Sequence, residues 1–353
     1  MGHGSINKDR NNSNINKDME QKILQIESEL QLPRNSPLTW DHLKSRTISS
    51  YNLFHRFIGY IPLALNFKFF PGLKIVVDGK ENIPKREPRI YTMNHTDNSN
   101  YFPLLYTLIR NNNDFTIWIK GKNYKNPFQR RLFDFGKMIP VPPKNYLLTT
   151  IHQRLFPDSR ELNSKKELNP EIYQQLKDSF DGTIDVETLR EQHASSEVIT
   201  IAQKMDDIRW YHDQCMQQVG RITENALLEK RISLLIFPEG TRNVTLGKAR
   251  TGIAQIALYT KVPVIPIACD YGDLIYPGHN PFAKKGTIVY HIGKPMTIDD
   301  QLKPYKIDEP YALLSTESQT RHKPQFEGAT TAIMTEINRM LHPRHQNNEL
   351  YKR

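Results

Sequence analysis

The sequence predicts an α/β fold: a mixed, mostly parallel sheet flanked by helices, with an N-terminal interfacial helical segment and a helical insertion. Short apolar runs typical of buried strands recur between residues 73 and 291. Amphipathic helical stretches alternate with several of these runs, and strands that alternate with helices form sheets covered on both faces. The apolar content of 38 % is enough for a sizeable core.

The elements follow in chain order. The predicted strands cover Leu73–Val77, Arg89–Met93, Phe115–Ile119, Met138–Val141, Ile232–Ile236, Val262–Ala268 and Thr287–His291. The predicted helices cover Asn100–Ile109, a segment from Asn126–Pro127 to about Gly136, and Ala249–Thr260. Asn126 and Pro127 indicate a helix start, because Asn caps free N–H groups and Pro suits the first turn.

The chain is predicted to consist of four consecutive segments, and the third of them contains an insertion. Residues 1–35 are polar and rich in Asn, which favours disorder. Residues 36–72 are membrane-interface or packing helices, residues 73–300 form the main domain, and residues 301–353 are a helical extension. Within the main domain, residues 143–231 are a helical insertion, since apolar side chains from Val198 to Ala226 recur at steps of three and four. His212 lies on that stripe as a packed core residue.

Residues 40–70 combine aromatic and apolar side chains with scattered bases. Their uncharged window, Phe57 to Phe67, is shorter than the roughly 20 residues that a spanning helix needs. The segment either lies in a bilayer interface or packs on the domain. With 48 basic and 38 acidic residues, a net charge of +10 suits an anionic partner. No nucleic-acid-binding motif is present, so nucleic acid is not expected, and the anionic partner is a membrane surface or a phosphorylated substrate.

The six residues Phe237–Arg242 (Phe-Pro-Glu-Gly-Thr-Arg) follow the buried run Ile232–Ile236 directly. Ligands bind at the carboxyl edge of open α/β sheets, and Arg offers a rigid donor fork that matches phosphate. The alternative from these residues alone is an ordinary strand exit with a surface ion pair. His95 follows another strand in the same way, and its unperturbed pKa near 6.5 suits general base work.

The order of these segments resembles the glycerolipid acyltransferase family, which contains the lysophosphatidic-acid and glycerol-3-phosphate acyltransferases. The segments are Asn94–His95, the basic stretch ending in Gly136–Val141, Phe237–Arg242, and Val262–Pro266. The resemblance covers roughly residues 75 to 300. It implies transfer of a fatty acyl group from acyl-coenzyme A or acyl carrier protein to a phosphorylated glycerol, most simply 1-acylglycerol 3-phosphate, in phospholipid biosynthesis. It also implies no permanently bound cofactor, no metal, and a peripheral or interfacial membrane location with the active site facing the cytoplasm.

By this resemblance His95 is the catalytic base, and Glu239, Gly240, Thr241 and Arg242 bind the acceptor, with Arg242 on its phosphate. Positive charge from Lys120, Lys122 and Lys137 either adds to this site or forms a solvated basic face.

One position departs from the family pattern. The Asn-His-x4-Asp motif requires an Asp at position 100, where this chain has Asn100. Three interpretations follow: weak activity with Asn100 orienting His95, rescue by Asp97, or a catalytically impaired lipid- or membrane-binding relative. In a serine-protease triad the equivalent change costs about 10⁴-fold in rate.

Overall fold

The computed structural model describes residues 4–33, 36, 39–49, 61, 63–69, 72–84, 87–97, 99–109, 115–162, 167–278 and 282–351. The chain divides into two compact units. The smaller consists of Met1–Arg46, Lys120–Arg130 and Pro140–Gln218, and the larger of Thr47–Ile119, Arg131–Ile139 and Val219–Arg353.

Seven strands form one sheet in the order β1-β7-β6-β2-β5-β3-β4. They are β1 (Leu73–Asp78), β2 (Ile90–Met93), β3 (Phe115–Lys120), β4 (Ile139–Val141), β5 (Ser233–Ile236), β6 (Val264–Asp270) and β7 (Gly286–Ile292). Among the pairs whose register is described, only β6 with β7 is antiparallel; β1–β7, β2–β5, β2–β6 and β3–β5 are parallel. The predicted mixed, mostly parallel sheet is therefore confirmed.

The strands that were predicted most accurately are those buried on both faces. All residues of β2, β5 and β6 are buried, as in strands covered on both faces. They therefore read as continuous apolar runs, and β2 and β5 each begin one residue later than predicted.

The helices of the described chain are α1 (Gly4–Glu29), α2 (Trp40–Lys44), α3 (Tyr101–Ile109), α4 (Pro127–Phe135), α5 (Lys144–Leu155), α6 (Pro170–Asp181), α7 (Val186–Glu191), α8 (Ser196–Ala202), α9 (Met205–Glu224), α10 (Gly252–Thr260), α11 (Gly272–Ile275), α12 (Thr316–Arg321) and α13 (Lys323–Met340). Oδ1 of Asn126 accepts hydrogen bonds from Phe128 N (2.9 Å) and Gln129 N (3.2 Å). The predicted cap at the start of α4 is therefore present. No helix among the described residues is long and apolar enough to cross a membrane.

Helix α1 differs from the disordered segment predicted for residues 1–35. Three apolar side chains near its end are buried, namely Ile23, Ile26 and Leu30. Glu27 accepts hydrogen bonds from Tyr211 OH (2.8 Å) and Trp40 N (2.7 Å). This helical spacing of three and four residues is too short a signal to stand out within a polar, Asn-rich stretch.

The helical stripe predicted across residues 198–226 is divided. Helix α8 ends at Ala202, α9 begins at Met205, and one turn of π-helix (Asn225–Glu229) follows. His212 is buried, its Nε2 lies 3.0 Å from Pro142 O, and burial lowers its pKa to about 4. It is a packed core histidine, as predicted.

Part of the aromatic segment 40–70 packs in the fold. Trp40, Leu43, Leu63 and Phe67 are buried, whereas Ile61 and Leu65 are exposed. Residues 50–60, which carry half of its aromatic side chains, lie outside the described residues, as do residues 62 and 70. The choice between interface and packing helices stays a prediction for them.

Candidate active site at the carboxyl edge of the sheet

Two of the predicted motif segments leave adjacent strands at the same edge. Strands β2 and β5 are parallel neighbours, with Thr92 opposite Ile236. His95 comes two residues after the end of β2, and Phe237 directly after the end of β5. Parallel pairing therefore brings His95 and the Phe237–Arg242 segment together, as their positions after strands predict.

Glu239 is the residue that joins the two segments. Its carboxylate is 2 % exposed; Oε1 accepts a hydrogen bond from His95 N (2.7 Å) and Oε2 accepts one from Gly247 N (2.7 Å). Oε2 also accepts from Asn243 Nδ2 at 3.3 Å. Burial raises the pKa of Glu239, and the backbone donors work against that rise. Glu239 thus fixes two backbone segments, a role that its predicted contact with the acceptor does not include.

Both backbone polar groups of His95, its N–H and its carbonyl, are hydrogen-bonded. Besides the N–H bond to Glu239, its carbonyl oxygen accepts from Asn243 N at 2.9 Å. The imidazole is partly exposed and stacks on Phe237, with ring centroids 4.3 Å apart and an interplanar angle of 30°. A fixed backbone and a stacked ring orient the imidazole at the sheet edge, which is what a general base requires.

Asn94, the residue before His95, is bonded to β6. Its Nδ2 donates to Cys269 O (2.9 Å) and its Oδ1 accepts from Cys269 N (2.7 Å). The side chain is 1 % exposed, so both bonds are shielded from water. No function was predicted for Asn94, yet its side chain anchors the segment that carries His95 to β6.

Asp97 and Asn100 are buried, and the side chains of both are hydrogen-bonded to the hydroxyl of Thr96. Asp97 Oδ2 accepts from Thr96 Oγ1 (2.9 Å), and Asp97 Oδ1 accepts from Ser99 N (2.7 Å). Asn100 Nδ2 donates to Asn94 O (3.2 Å) and to Thr96 Oγ1 (3.4 Å). Burial raises the pKa of Asp97 to about 6. These bonds link Thr96 to both side chains, and orientation of His95 by either side chain stays a prediction.

Gly272, the second residue after β6, shows how tightly Thr96, Asp97 and Asn100 pack there. A β-carbon at Gly272 would lie 2.5 Å from Asp97 Oδ2, 2.6 Å from Thr96 Oγ1 and 3.1 Å from Asn100 Cβ. Only glycine allows such a close approach.

A loop with exposed cations follows Glu239. Gly240 has φ 64°, a left-handed conformation that favours glycine, and its N donates to Phe237 O at 3.1 Å. Thr241 and Arg242 are exposed, as their predicted contact with the acceptor requires.

Arg250, which was not predicted to belong to the site, lies next to Gly240. A β-carbon at Gly240 would lie 3.2 Å from Arg250 Nε, and Arg250 N donates to Pro238 O at 2.9 Å. Arg250 and Lys248 are both exposed. The signal for them was two bases separated by one alanine, six and eight residues after Arg242.

The three predicted lysines are divided between the two units. Lys120 and Lys122 belong to the smaller unit, and Lys122 is exposed. Lys137 belongs to the larger unit; its Nζ is hydrogen-bonded to Ser49 Oγ, and its carbonyl oxygen accepts from Thr116 Oγ1 at 2.9 Å. A role for them in the site stays a prediction.

Comparison with protein families adds to this geometry. The family model described as Acyltransferase matches residues 189–270. Over this region the chain is similar to acyltransferases. The matched region contains Phe237–Arg242 and β6 but not His95.

The chain is 32 % identical over 77 residues to a 1-acyl-sn-glycerol-3-phosphate acyltransferase from Cocos nucifera. That match covers 21 % of this chain and only 25 % of the coconut protein. The crystal structure of the 1-acyl-sn-glycerophosphate acyltransferase PlsC from Thermotoga maritima overlaps 78 % of this chain and 77 % of its own. The two are 13 % identical in sequence, with a TM-score of 0.37.

Proposed function

We propose that this protein transfers a fatty acyl group from acyl-coenzyme A or acyl carrier protein to a hydroxyl of a phosphorylated glycerol. The first acceptor to test is 1-acylglycerol 3-phosphate. The observation that carries the proposal is the hydrogen bond from His95 N to Glu239 Oε1, because it holds a histidine beside a loop of exposed cations. The match of residues 189–270 to the Acyltransferase family model supports the reaction class.

The proposed chemistry needs one base at His95. The imidazole takes the proton of the glycerol hydroxyl while the oxygen attacks the thioester carbonyl. A C–O bond forms, the C–S bond breaks, and the proton passes to the departing thiolate. Because a thiol has a pKa near 8.5, it leaves without strong acid assistance. No acyl-enzyme is required.

Three exposed cations of the loop suit the acceptor phosphate: Arg242, Lys248 and Arg250. Arg binds phosphate oxygens through two parallel N–H donors, whereas Lys acts as a point charge. Because Arg250 lies over Gly240, the bend at Gly240 sets where the phosphate would bind.

We further infer that the protein works on an anionic membrane surface. Leu65 is 48 % and Phe282 68 % exposed, and Lys284 and Lys285 beside Phe282 are exposed too. Ala283 N donates to Asn66 Oδ1 at 3.2 Å, so the two apolar segments are neighbours. Since β7 runs antiparallel to β6, residues 282–285 precede β7 at the sheet edge where β6 ends, the same edge as His95. Apolar side chains rimmed by bases suit an anionic bilayer.

The test of the reaction is transfer from oleoyl-coenzyme A to 1-oleoylglycerol 3-phosphate, glycerol 3-phosphate and other lysolipids. We expect wild type to acylate a phosphorylated acceptor and His95→Ala to lose at least about 10²-fold in rate. The control is His193→Asn, an exposed histidine of the smaller unit whose φ of 56° suits Asn. Undiminished transfer by His95→Ala would contradict the proposal.

The alternative is a lipid- or membrane-binding relative with impaired catalysis. Asn100 favours it, because an amide brings no charge to stabilise the imidazolium. Flotation with anionic liposomes in the absence of acyl transfer would support this alternative. If transfer occurs, its collapse in Asp97→Asn would support rescue by Asp97.

A further inference from the structure

Residues 345–351 run along the loop that carries the exposed cations. Helix α13 ends at Met340, and the chain that follows makes five hydrogen bonds to backbone groups of residues 244–249. These bonds are His345 Nδ1 to Val244 O (2.7 Å), Leu246 N to His345 O (2.8 Å), Asn347 Nδ2 to Leu246 O (3.0 Å), Tyr351 OH to Gly247 O (2.9 Å) and Ala249 N to Tyr351 OH (3.0 Å). The loop is thus bonded by a segment about 100 residues away in sequence.

This segment is itself fixed by a buried side chain of α13. Asn338 is 1 % exposed; its Oδ1 accepts from Asn347 N (2.8 Å) and its Nδ2 donates to Tyr351 O (3.0 Å). Because α13 packs on β6, the position of Tyr351 is set by the core of the larger unit.

His345 adds a second fixed point. It is fully buried, and Nε2 accepts from Tyr271 N at 3.2 Å while Nδ1 faces Val244 O. Both bonds are satisfied by the neutral imidazole with its proton on Nδ1. His345 therefore ties the loop to the residue that follows β6.

The hydroxyl of Tyr351 is bonded to a residue that itself contacts Glu239. It donates to the carbonyl of Gly247, whose N–H donates to Glu239 Oε2. It also accepts from Ala249 N, between Lys248 and Arg250. One oxygen atom thus bonds the backbone on both sides of Lys248.

We propose that Tyr351 is a positioning residue for acceptor binding, acting through the loop 243–250. The inference rests on the proposed function, since it assumes that this loop binds the acceptor phosphate. Tyr351 touches neither substrate; its hydroxyl sets where the backbone of Gly247 and Ala249 lies, and hence where Lys248 and Arg250 project.

Tyr351→Phe tests this role because it removes only the hydroxyl oxygen. We expect KM for 1-oleoylglycerol 3-phosphate to rise about three- to tenfold, the equivalent of one hydrogen bond. KM for oleoyl-coenzyme A and the pH profile of kcat stay unchanged. Amide hydrogen exchange in peptides covering residues 243–250 becomes faster.

The matched control is Tyr311→Phe. Tyr311 OH donates to Gln255 O at 3.1 Å, so this variant loses a bond of the same kind outside the loop. A merely structural role for Tyr351 predicts the same acceptor KM in the two variants, although Tyr351→Phe loses two hydrogen bonds and Tyr311→Phe one. That result, or unchanged exchange in residues 243–250 of Tyr351→Phe, would overturn the inference.

Failure of the proposed function is recognised separately. If wild type transfers no acyl group, binding of 1-oleoylglycerol 3-phosphate by titration calorimetry replaces KM as the readout. Weaker binding by Tyr351→Phe than by Tyr311→Phe then supports the positioning role. Equal binding, or none by wild type, overturns it.

Discussion

The N–H of His95 donates a hydrogen bond to the buried carboxylate of Glu239 over 2.7 Å. This contact joins the exits of two neighbouring parallel strands, and the same carboxylate accepts the N–H of Gly247 at 2.7 Å. The acidic residue of the Phe237–Arg242 segment therefore holds together the histidine and the loop of cations. Its removal should disturb both.

Glu239→Gln should lower both stability and acyl transfer. The amide nitrogen of Gln would face an N–H that the carboxylate accepts, leaving a buried donor unsatisfied at a cost of about 1–3 kcal/mol. Thermal unfolding and kcat/KM measure the two effects. The exposed Glu327→Gln serves as control and should change neither. An unchanged melting temperature in Glu239→Gln would contradict the bonding described here.

Asn100→Asp should destabilise the protein at pH 8, although it restores the family's motif. The side chain is fully buried, and its Nδ2 donates to Asn94 O, which a carboxylate cannot do. An uncompensated buried charge costs about 3–5 kcal/mol. Because protonation relieves this cost, the loss relative to wild type should shrink from pH 8 to pH 5. Equal melting temperatures at pH 8 would argue against it, and higher transfer would support impaired orientation of His95.

Asp97 should make stability depend on pH. Its pKa is raised from 3.8 to about 6, mainly by burial, so the folded state favours the protonated acid. Its stabilising contribution is complete below about pH 4 and is lost as pH rises through about 6. The rise in pKa is equivalent to about 3 kcal/mol. This effect is measured as the free energy of unfolding of wild type and Asp97→Asn at pH 4 and pH 8. A difference between the two proteins that is the same at both pH values would contradict the prediction.

Arg250→Gln should raise KM for phosphorylated acceptors about tenfold or more, because bonds to charged groups contribute about 1.5–3 kcal/mol. A neutral acceptor, monooleoylglycerol, should show no such change. Arg339→Gln is the control, since Arg339 is exposed and paired with Glu336 at 3.0 Å. Equal effects on both acceptors would remove Arg250 from the phosphate site.

The strands were predictable where burial on both faces produces a continuous apolar run, as in β2 and β5. The start of α10, in contrast, was not predicted correctly from the sequence. The prediction began the helix at Ala249, whereas it begins at Gly252. The N–H groups of Ala249 and Arg250 bond to Tyr351 OH and Pro238 O instead. Such long-range bonds leave no local pattern in the sequence.

The same reasoning applies to the candidate site. His95 and Phe237–Arg242 were predictable together, because each follows a buried strand and parallel strands end at one edge. The partners of Glu239, and the bonds from His345 and Tyr351, depend on side chains that meet only after folding. Neither periodicity nor spacing encodes them.

The side chain of Asn94 has a consequence for the shape of the sheet edge. The pairing of β2 with β6 ends with Met93 opposite Ile267, yet the Asn94 amide exchanges two hydrogen bonds with Cys269. A side-chain amide thus imitates one further peptide unit of a neighbouring strand. The backbone of β2 thus stops pairing with β6 after Met93, and the side chain of Asn94 makes the next two hydrogen bonds to β6 in its place. His95 can therefore leave the sheet while the backbone N–H and carbonyl of Cys269 on β6 keep hydrogen-bond partners.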